Sequence, residues 1–388
     1  MCLLLSSQAP ALASDVLVLG PDGQAVQRED PFLGLTPPAV PASAAHSPHA
    51  RAARGGPSVS GVLHRLRRTH AISAAAYRRY GGDYASASAA LRRLRGTRST
   101  ELGAVLATLR AIAAGNALSP SRLPALFTTL ERNEQWWTRG PLLSAGQRVE
   151  FKGSELVWEY YQGQGIQLQE LGSFGKADGL YTAGKADYGR MKSLLDEIVP
   201  LGAKRAGKLT WEYYFSFGGG RPPWASAMAQ GTAVEAFTRA YQAFRDRRWL
   251  AVAHRALPEL DTRPPRGVSV KTSRGLRFLL YSFDSSSKDA VLNGFLQTLI
   301  GLYDYAHVSR DRRAASLFAR GDAEARFEVP HYDTGKWSLY QPGVLDSPDY
   351  HNLVTGFLQE LCDRAHAKVY CTTAARFRGY AKHPPPGV

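Results

Sequence analysis

Downstream of residue 223, apolar residues return at helical spacing five times, over 224–245, 288–307, 310–326, 349–366 and 372–382. Helices that each bury one stripe must pack on one another, so this recurrence predicts helix packed on helix, with a cleft where the connecting loops gather. Hairpin-like runs at 275–283 and 327–340 interleave with the helices, and no exact repeat of a solenoid kind accompanies them.

The upstream half has a different texture. Short β-like runs cover 148–151, 156–161 and 209–217, with a helix near 185–199 between them. Residues 59–145 read as a basic helical region. Its first helix carries Val62, Leu63, Leu66 and Ile72 and stops at Gly81-Gly82; its fourth opens at Ser119-Pro120 or Ser121. Residues 15–58, rich in Ala, Pro, Ser and Gly, read as a linker with little to bury. Within residues 1–14, Ala11-Leu12-Ala13 before Ser14 reads as the tail of a truncated signal peptide, which predicts an exported protein; a chance likeness would leave it cytoplasmic.

Charge narrows the partners. The 388 residues carry 48 Lys and Arg against 33 Asp and Glu, a net +15. Residues 51–110 supply +10 of it, with 12 Arg opposed only by Asp83 and Glu101. Such a surplus calls for an anionic partner: nucleic acid, an anionic membrane or an acidic polysaccharide. The arginines fall on several helix faces without any helix-turn-helix, finger or RNP-like spacing, which argues against nucleic acid. No apolar run is long enough to span a bilayer. Cys362 and Cys371 are either a local disulfide or two separate thiols. No Cys or His spacing reads as a metal site, and Gly218-Gly219-Gly220 lacks the context of a phosphate or dinucleotide loop, so neither metal nor cofactor is expected.

Four segments concentrate polar, aromatic and glycine residues. They are Gly165-Ile166-Gln167-Leu168 with Phe174-Gly175-Lys176; Trp211-Glu212-Tyr213-Tyr214-Phe215 running to Arg221-Pro222-Pro223-Trp224 and Gln230-Gly231; Leu292-Asn293-Gly294-Phe295 with Ile300-Gly301-Leu302-Tyr303-Asp304; and Asp333-Thr334-Gly335-Lys336-Trp337-Ser338-Leu339-Tyr340 with Asp349-Tyr350-His351. In this order they resemble the C-terminal catalytic domain of the D-glucuronyl C5-epimerases, over roughly residues 146–388. The resemblance implies a mainly α fold, an (α/α) barrel or helical toroid with short β-hairpins, preceded here by the helical N-terminal region. It also implies a homodimer, and as substrate an anionic, heparosan-like polysaccharide in which glucuronate becomes iduronate. It assigns a catalytic tyrosine to Tyr350 and a functional one to Tyr340. The third family tyrosine follows a glutamate upstream of the Asn-Gly motif. Tyr281 is the nearest tyrosine there, and Leu280 stands where the glutamate would be.

The chemistry can be reasoned without the family. Inverting C5 of a uronate removes a proton beside a carboxylate and returns one on the opposite face, which takes two acid/base groups. Tyrosine suits the task if a cation or helix N-terminus lowers its pKa from about 10. Ser347-Pro348 reads as N-cap and first position of a helix, placing Tyr350 in its first turn. Arg221 is the expected carboxylate receptor, Trp224 a stacking platform, and Lys176, Asn293 and His351 further polar contacts. The competing readings are a uronate lyase using the same tyrosines, a non-catalytic polyanion-binding protein, and a glycoside hydrolase drawing on Glu159, Glu212 or Asp333.

Overall fold

The computed structural model describes residues 14–32, 55–284 and 290–386. The sequence predicts a linker over 15–58, but its first part folds. Strands β1 (Ser14–Leu19) and β2 (Ala25–Asp30) form a hairpin around the turn that contains Pro21-Asp22-Gly23. They extend a five-stranded sheet with β3 (Arg148–Phe151), β4 (Trp158–Tyr161) and β5 (Gly165–Leu168), in the order β2-β1-β3-β4-β5. Only the β1–β3 pairing is parallel, with Val16 opposite Arg148 and Val18 opposite Glu150. Val and Leu alternate along β1, and Val16 and Leu19, three residues apart, are buried on opposite faces of the sheet. The proposed signal segment falls on 1–13, outside the described residues, and Ser14 already belongs to β1.

Helices α1 (Val59–Arg68), α2 (Ala74–Arg93), α3 (Gly96–Ala114) and α4 (Leu123–Arg139) lie in the chain between β1–β2 and β3. Gly81-Gly82 does not end a helix: the chain breaks instead near His70, with Ser73 capping α2 at the Ala76 N–H, and α2 runs through both glycines. A Cβ on either glycine would meet nothing within 4 Å, so no close packing calls for glycine there and the helix bears their propensity cost. The fourth helix opens at Leu123, later than Ser119-Pro120 or Ser121.

Beyond the sheet come α5 (Glu170–Ala183), α6 (Tyr188–Ile198), α7 (Ala227–Phe244), α8 (Arg248–Ala256), α9 (Leu292–Ser309), α10 (Arg312–Glu328), α11 (Pro348–Ala365) and α12 (Lys368–Tyr380). Helices α5, α7, α9 and α11 pack side by side, and each also packs against the helix that follows it in sequence. The row is tightest between α7 and α9, because a Cβ on Gly301 would stand 2.1 Å from the Gly231 carbonyl oxygen and one on Gly231 would stand 2.6 Å from the Thr298 Cα. These two glycines, in segments that look functional in the sequence, bring two backbones together. Short hairpins fill the connections: β6 (Ala203–Arg205) with β7 (Lys208–Thr210), β8 (Ser269–Lys271) with β9 (Leu276–Phe278), and β10 (Leu339–Gln341) with β11 (Val344–Leu345). A disulfide joins Cys362 on α11 to Cys371 on α12, deciding between the two readings of these cysteines. Among the described residues no helix is long and apolar enough to cross a membrane.

Candidate active site

A cavity of about 430 Å³ opens where the starts of α5, α7, α9 and α11 meet the sheet, a size within the usual range for small-ligand sites. Its lining includes the caps or first residues of all four helices: Gln169 before α5, Ser226 before α7, Asn293 in α9, and Ser347, Asp349 and Tyr350 at α11. Ser226 and Ser347 each accept from their own helix, at the N–H of Ala229 and of Tyr350, and Asn293 Oδ1 accepts from Gly294 N–H at 2.6 Å. Four helix dipoles thus direct their positive ends at one space.

Tyr281, Tyr340 and Tyr350 all line this cavity, with Trp224 and Asn293. Tyr340 comes from β10 and Tyr350 from the first turn of α11, with ring centroids 4.9 Å apart. Tyr281 lies edge-on to Trp224 at 5.5 Å and beside Phe217 at 5.3 Å. The sequence expectation that a helix N-terminus lowers the tyrosine pKa is not met. Burial is the largest effect on all three and pushes them up, Tyr340 to about 12 and Tyr281 and Tyr350 beyond the ordinary phenol range. The interaction between the two hydroxyls lowers the pKa of Tyr340 and raises that of Tyr350.

Three predicted contacts lie elsewhere. Lys176 is fully buried, with its ammonium 2.9 Å from Asp30, 2.6 Å from Glu150 and 2.9 Å from Glu155; three carboxylates occupy its donors. His351 is also fully buried, bonded to Ser338 and to the Phe377 carbonyl and stacked on Trp337 at 3.7 Å. Arg221 is exposed and outside the cavity lining. Of the three carboxylates weighed for hydrolysis, Glu212 is bound by Arg122 and Arg205, each at 2.7 Å, and Asp333 by Arg376 at 3.0 Å. Only Glu159 reaches the cavity.

The residue that sequence reasoning missed is Arg148. It is 8% exposed, lines the cavity from β3, and bonds Glu159, its register partner on β4, at 2.8 Å through Nη2. Its Nη1 is buried without a hydrogen-bond partner among the described residues. Burial raises the Glu159 pKa, against the pull of Arg148. Arg148 has its partner set by the β3–β4 register and its burial by the fold, so the sequence alone does not single it out.

Comparison with known proteins bears on this arrangement. Residues 205–379 match the family model described as the D-glucuronyl C5-epimerase C-terminus. This segment of the chain belongs to that family. The epimerase-family segment contributes Trp224, Tyr281, Asn293, Tyr340 and Tyr350 to the cavity, whereas Arg148 and Glu159 precede it. A D-glucuronyl C5-epimerase of Caenorhabditis elegans is 29% identical over 180 residues, covering 41% of this chain and 29% of that protein. An uncharacterised protein of Methanocaldococcus jannaschii is 24% identical over 149 residues, covering 37% of this chain and 48% of that one. The chain therefore spans less than half the length of either relative. Among solved structures, a sugar epimerase from a ruminal bacterium aligns with a TM-score of 0.40 at 10% identity, covering 55% of this chain and 59% of that one, too distant to define a shared fold.

Proposed function

We propose that this protein is a carbohydrate epimerase that inverts C5 of D-glucuronate within a heparosan-like polysaccharide, giving L-iduronate, and that its helix row is part of an (α/α) barrel. The observation that carries the reading is the convergence of Tyr281, Tyr340 and Tyr350 on a cavity faced by four helix N-termini and by the unpartnered Nη1 of Arg148.

In this reading Arg148 takes the role first expected of Arg221 and receives the uronate carboxylate. Pairing that carboxylate with a guanidinium makes the adjacent C5 proton easier to remove, because charge developing on the carboxyl oxygens is met by a fixed cation. Tyr340, whose pKa the Tyr350 hydroxyl lowers, accepts the C5 proton as phenolate. Tyr281, contributed by the segment after β9, returns a proton to the other face, and Tyr350 donates to Tyr340 and holds its charge. Trp224 and its aromatic neighbours supply the apolar wall for a sugar ring. Glu159 keeps Arg148 in place and is the nearest carboxylate to the role of the family's glutamate. The Cys362–Cys371 disulfide supports export to an oxidising compartment.

The test is incubation with unsulfated glucuronate/N-acetylglucosamine polymer in deuterated water, read by NMR at C5. Deuterium entry with iduronate formation is expected, falling about 10²- to 10⁴-fold in Tyr350→Phe. An unsaturated product absorbing in the ultraviolet would instead assign a lyase. Binding without exchange would leave a polyanion-binding protein.

A further inference from the structure

Behind the Tyr340–Tyr350 pair lies a buried chain of three polar side chains that the scheme above does not use. Ser338 precedes β10, Asp346 follows β11, and His351 sits in the first turn of α11. Ser338 Oγ is 2.5 Å from Asp346 Oδ2 and 2.7 Å from His351 Nδ1, and His351 Nε2 is 2.9 Å from the Phe377 carbonyl oxygen. The grouping has the residue types of a hydrolytic triad but not its order. Its serine stands in the middle, is fully buried and does not line the cavity, so it is no nucleophile.

Proton counting decides what the array holds. A carbonyl only accepts, so Nε2 carries a hydrogen and, in the neutral ring, Nδ1 is an acceptor. The serine has one hydroxyl hydrogen for two contacts. With an ionised Asp346 and a neutral His351, one contact would set lone pair against lone pair. Both become hydrogen bonds only when the array holds one further proton. It then sits either on Asp346, which donates to Oγ while Oγ–H donates to Nδ1, or on His351, whose Nδ1–H donates to Oγ while Oγ–H donates to the carboxylate. The surroundings select the first. His351 is buried between the Trp337 and Phe377 rings, 3.7 and 5.3 Å away by centroid, which disfavours an imidazolium. Asp346 is only 3% exposed, and burial pushes it up to about 6.

We propose that Asp346, Ser338 and His351 form an array that retains one proton and thereby keeps Asp346 uncharged beside the Tyr340–Tyr350 pair, so that a phenolate can form there. The proposal rests on reading those tyrosines as the acid/base groups. Asp346 as an anion would oppose ionisation of both, and it acts on each of them. The other groups facing this place are His351 and Tyr350 on α11, Tyr340 on β10, and Glu159 on β4, which acts on Tyr350; Asp333 is already paired with Arg376 and Tyr380 on α12. Moving the proton to His351 breaks Asp346 O–H and the original Oγ–H, forms a new Oγ–H and Nδ1–H, and restores the opposing charge. All three are positioning residues that act through the tyrosines.

Two measurements need no substrate. Infrared spectra at pH 5 are expected to show a carboxylic-acid C=O band that disappears in Asp346→Asn and, with its acceptor gone, moves to higher frequency in Ser338→Ala. Spectra of ¹⁵N-histidine-labelled protein are expected to show His351 protonated at Nε2 alone. An ionised Asp346 at pH 5, whether His351 is neutral or an imidazolium, overturns the proposal. The third measurement is C5 deuterium exchange. Above pH 6, where Asp346 ionises, Asp346→Asn is expected to raise kcat roughly tenfold over the parent with KM little changed, and this advantage is expected to vanish at pH 5. A merely structural role makes Asp346→Asn no faster than the parent at either pH, and that result also overturns the proposal. If the parent protein exchanges no C5 proton, the epimerase reading fails while the two spectroscopic results still decide the state of the array.

Discussion

Glu150 and Arg148 stand two residues apart on β3, on the same face of the sheet, and belong to opposite kinds of buried charge. Glu150 enters a group in which Lys176, Arg28 and Arg190 face Asp30, Glu150 and Glu155, three charges against three. Arg148 has one carboxylate partner and a buried guanidinium nitrogen left over beside the cavity. The first arrangement is closed: each of the three carboxylates finds a cation within the protein. The second is open and is completed by an anion from outside. The difference separates a cation that holds the fold from one that can receive a ligand, although in the sequence both are basic residues in apolar surroundings.

The largest effect expected from breaking this contrast is on stability. Lys176→Met removes the centre of the closed group and leaves three carboxylates with two rim arginines, which is expected to cost about 3 to 5 kcal/mol in urea unfolding. Deuterium exchange per folded molecule should change far less. A comparable loss of exchange without loss of stability would put Lys176 in the site after all.

Acid sharpens the contrast, because Asp30 in the closed group and Asp346 near the cavity respond with opposite sign. Burial pushes Asp30 up, but the charge and hydrogen bond of Lys176 outweigh it and hold Asp30 low. Its stabilisation is therefore present above the unfolded carboxylate range and lost as pH falls through the folded value. Asp346 is raised to about 6 from an ordinary 3.8. Its contribution is full below about 3.8 and lost as pH rises through 6, amounting to at most about 3 kcal/mol. Relative to the parent, Asp346→Asn should gain stability between pH 4 and 7 by up to that amount, and Lys176→Met should lose more at pH 7 than at pH 3. Parallel slopes for the two variants would contradict the division.

Arg148→Lys keeps the charge but loses the planar fork. It is expected to lower kcat/KM for the uronate polymer roughly tenfold to a hundredfold, with unfolding shifted by no more than about 1 kcal/mol. The smallest effect belongs to Arg221→Ala. This exposed side chain lies outside the cavity, so exchange should stay within about twofold and stability within about 0.5 kcal/mol. A strong loss there would move the carboxylate receptor back to the surface loop.

Much of this was legible beforehand. Helical periodicity located the helices after residue 223 except α8, the Ser347-Pro348 cap put Tyr350 in the first turn of α11, and the aromatic segments converged with Tyr281, Tyr340, Trp224 and Asn293 at one cavity. What was illegible depends on long-range pairing. Lys176 and His351 look like contacts because they sit among site residues in sequence. Only the fold shows Asp30 and Glu150 meeting the first, and Ser338 and Phe377 meeting the second. Arg148 gained meaning only when β4 brought Glu159 opposite it. The hairpin at 14–30 was legible in principle, through a Pro-Asp-Gly turn between two runs, but the Pro- and Ala-rich residues after it masked the signal. Gly231 and Gly301 resembled site glycines and are packing glycines, a distinction made only by the atoms they approach.

The parallel register of β1 on β3 has a kinetic consequence. Val16 meets Arg148 only after the whole α1–α4 region has been bridged, and the cavity also needs Tyr350, some two hundred residues further along the chain. Contacts of such separation form late, because the loops between them must close before the pairing is rewarded. Helical circular dichroism should therefore return early during refolding, while the cavity and any activity it supports lag behind, set by the slow docking of the N-terminal hairpin.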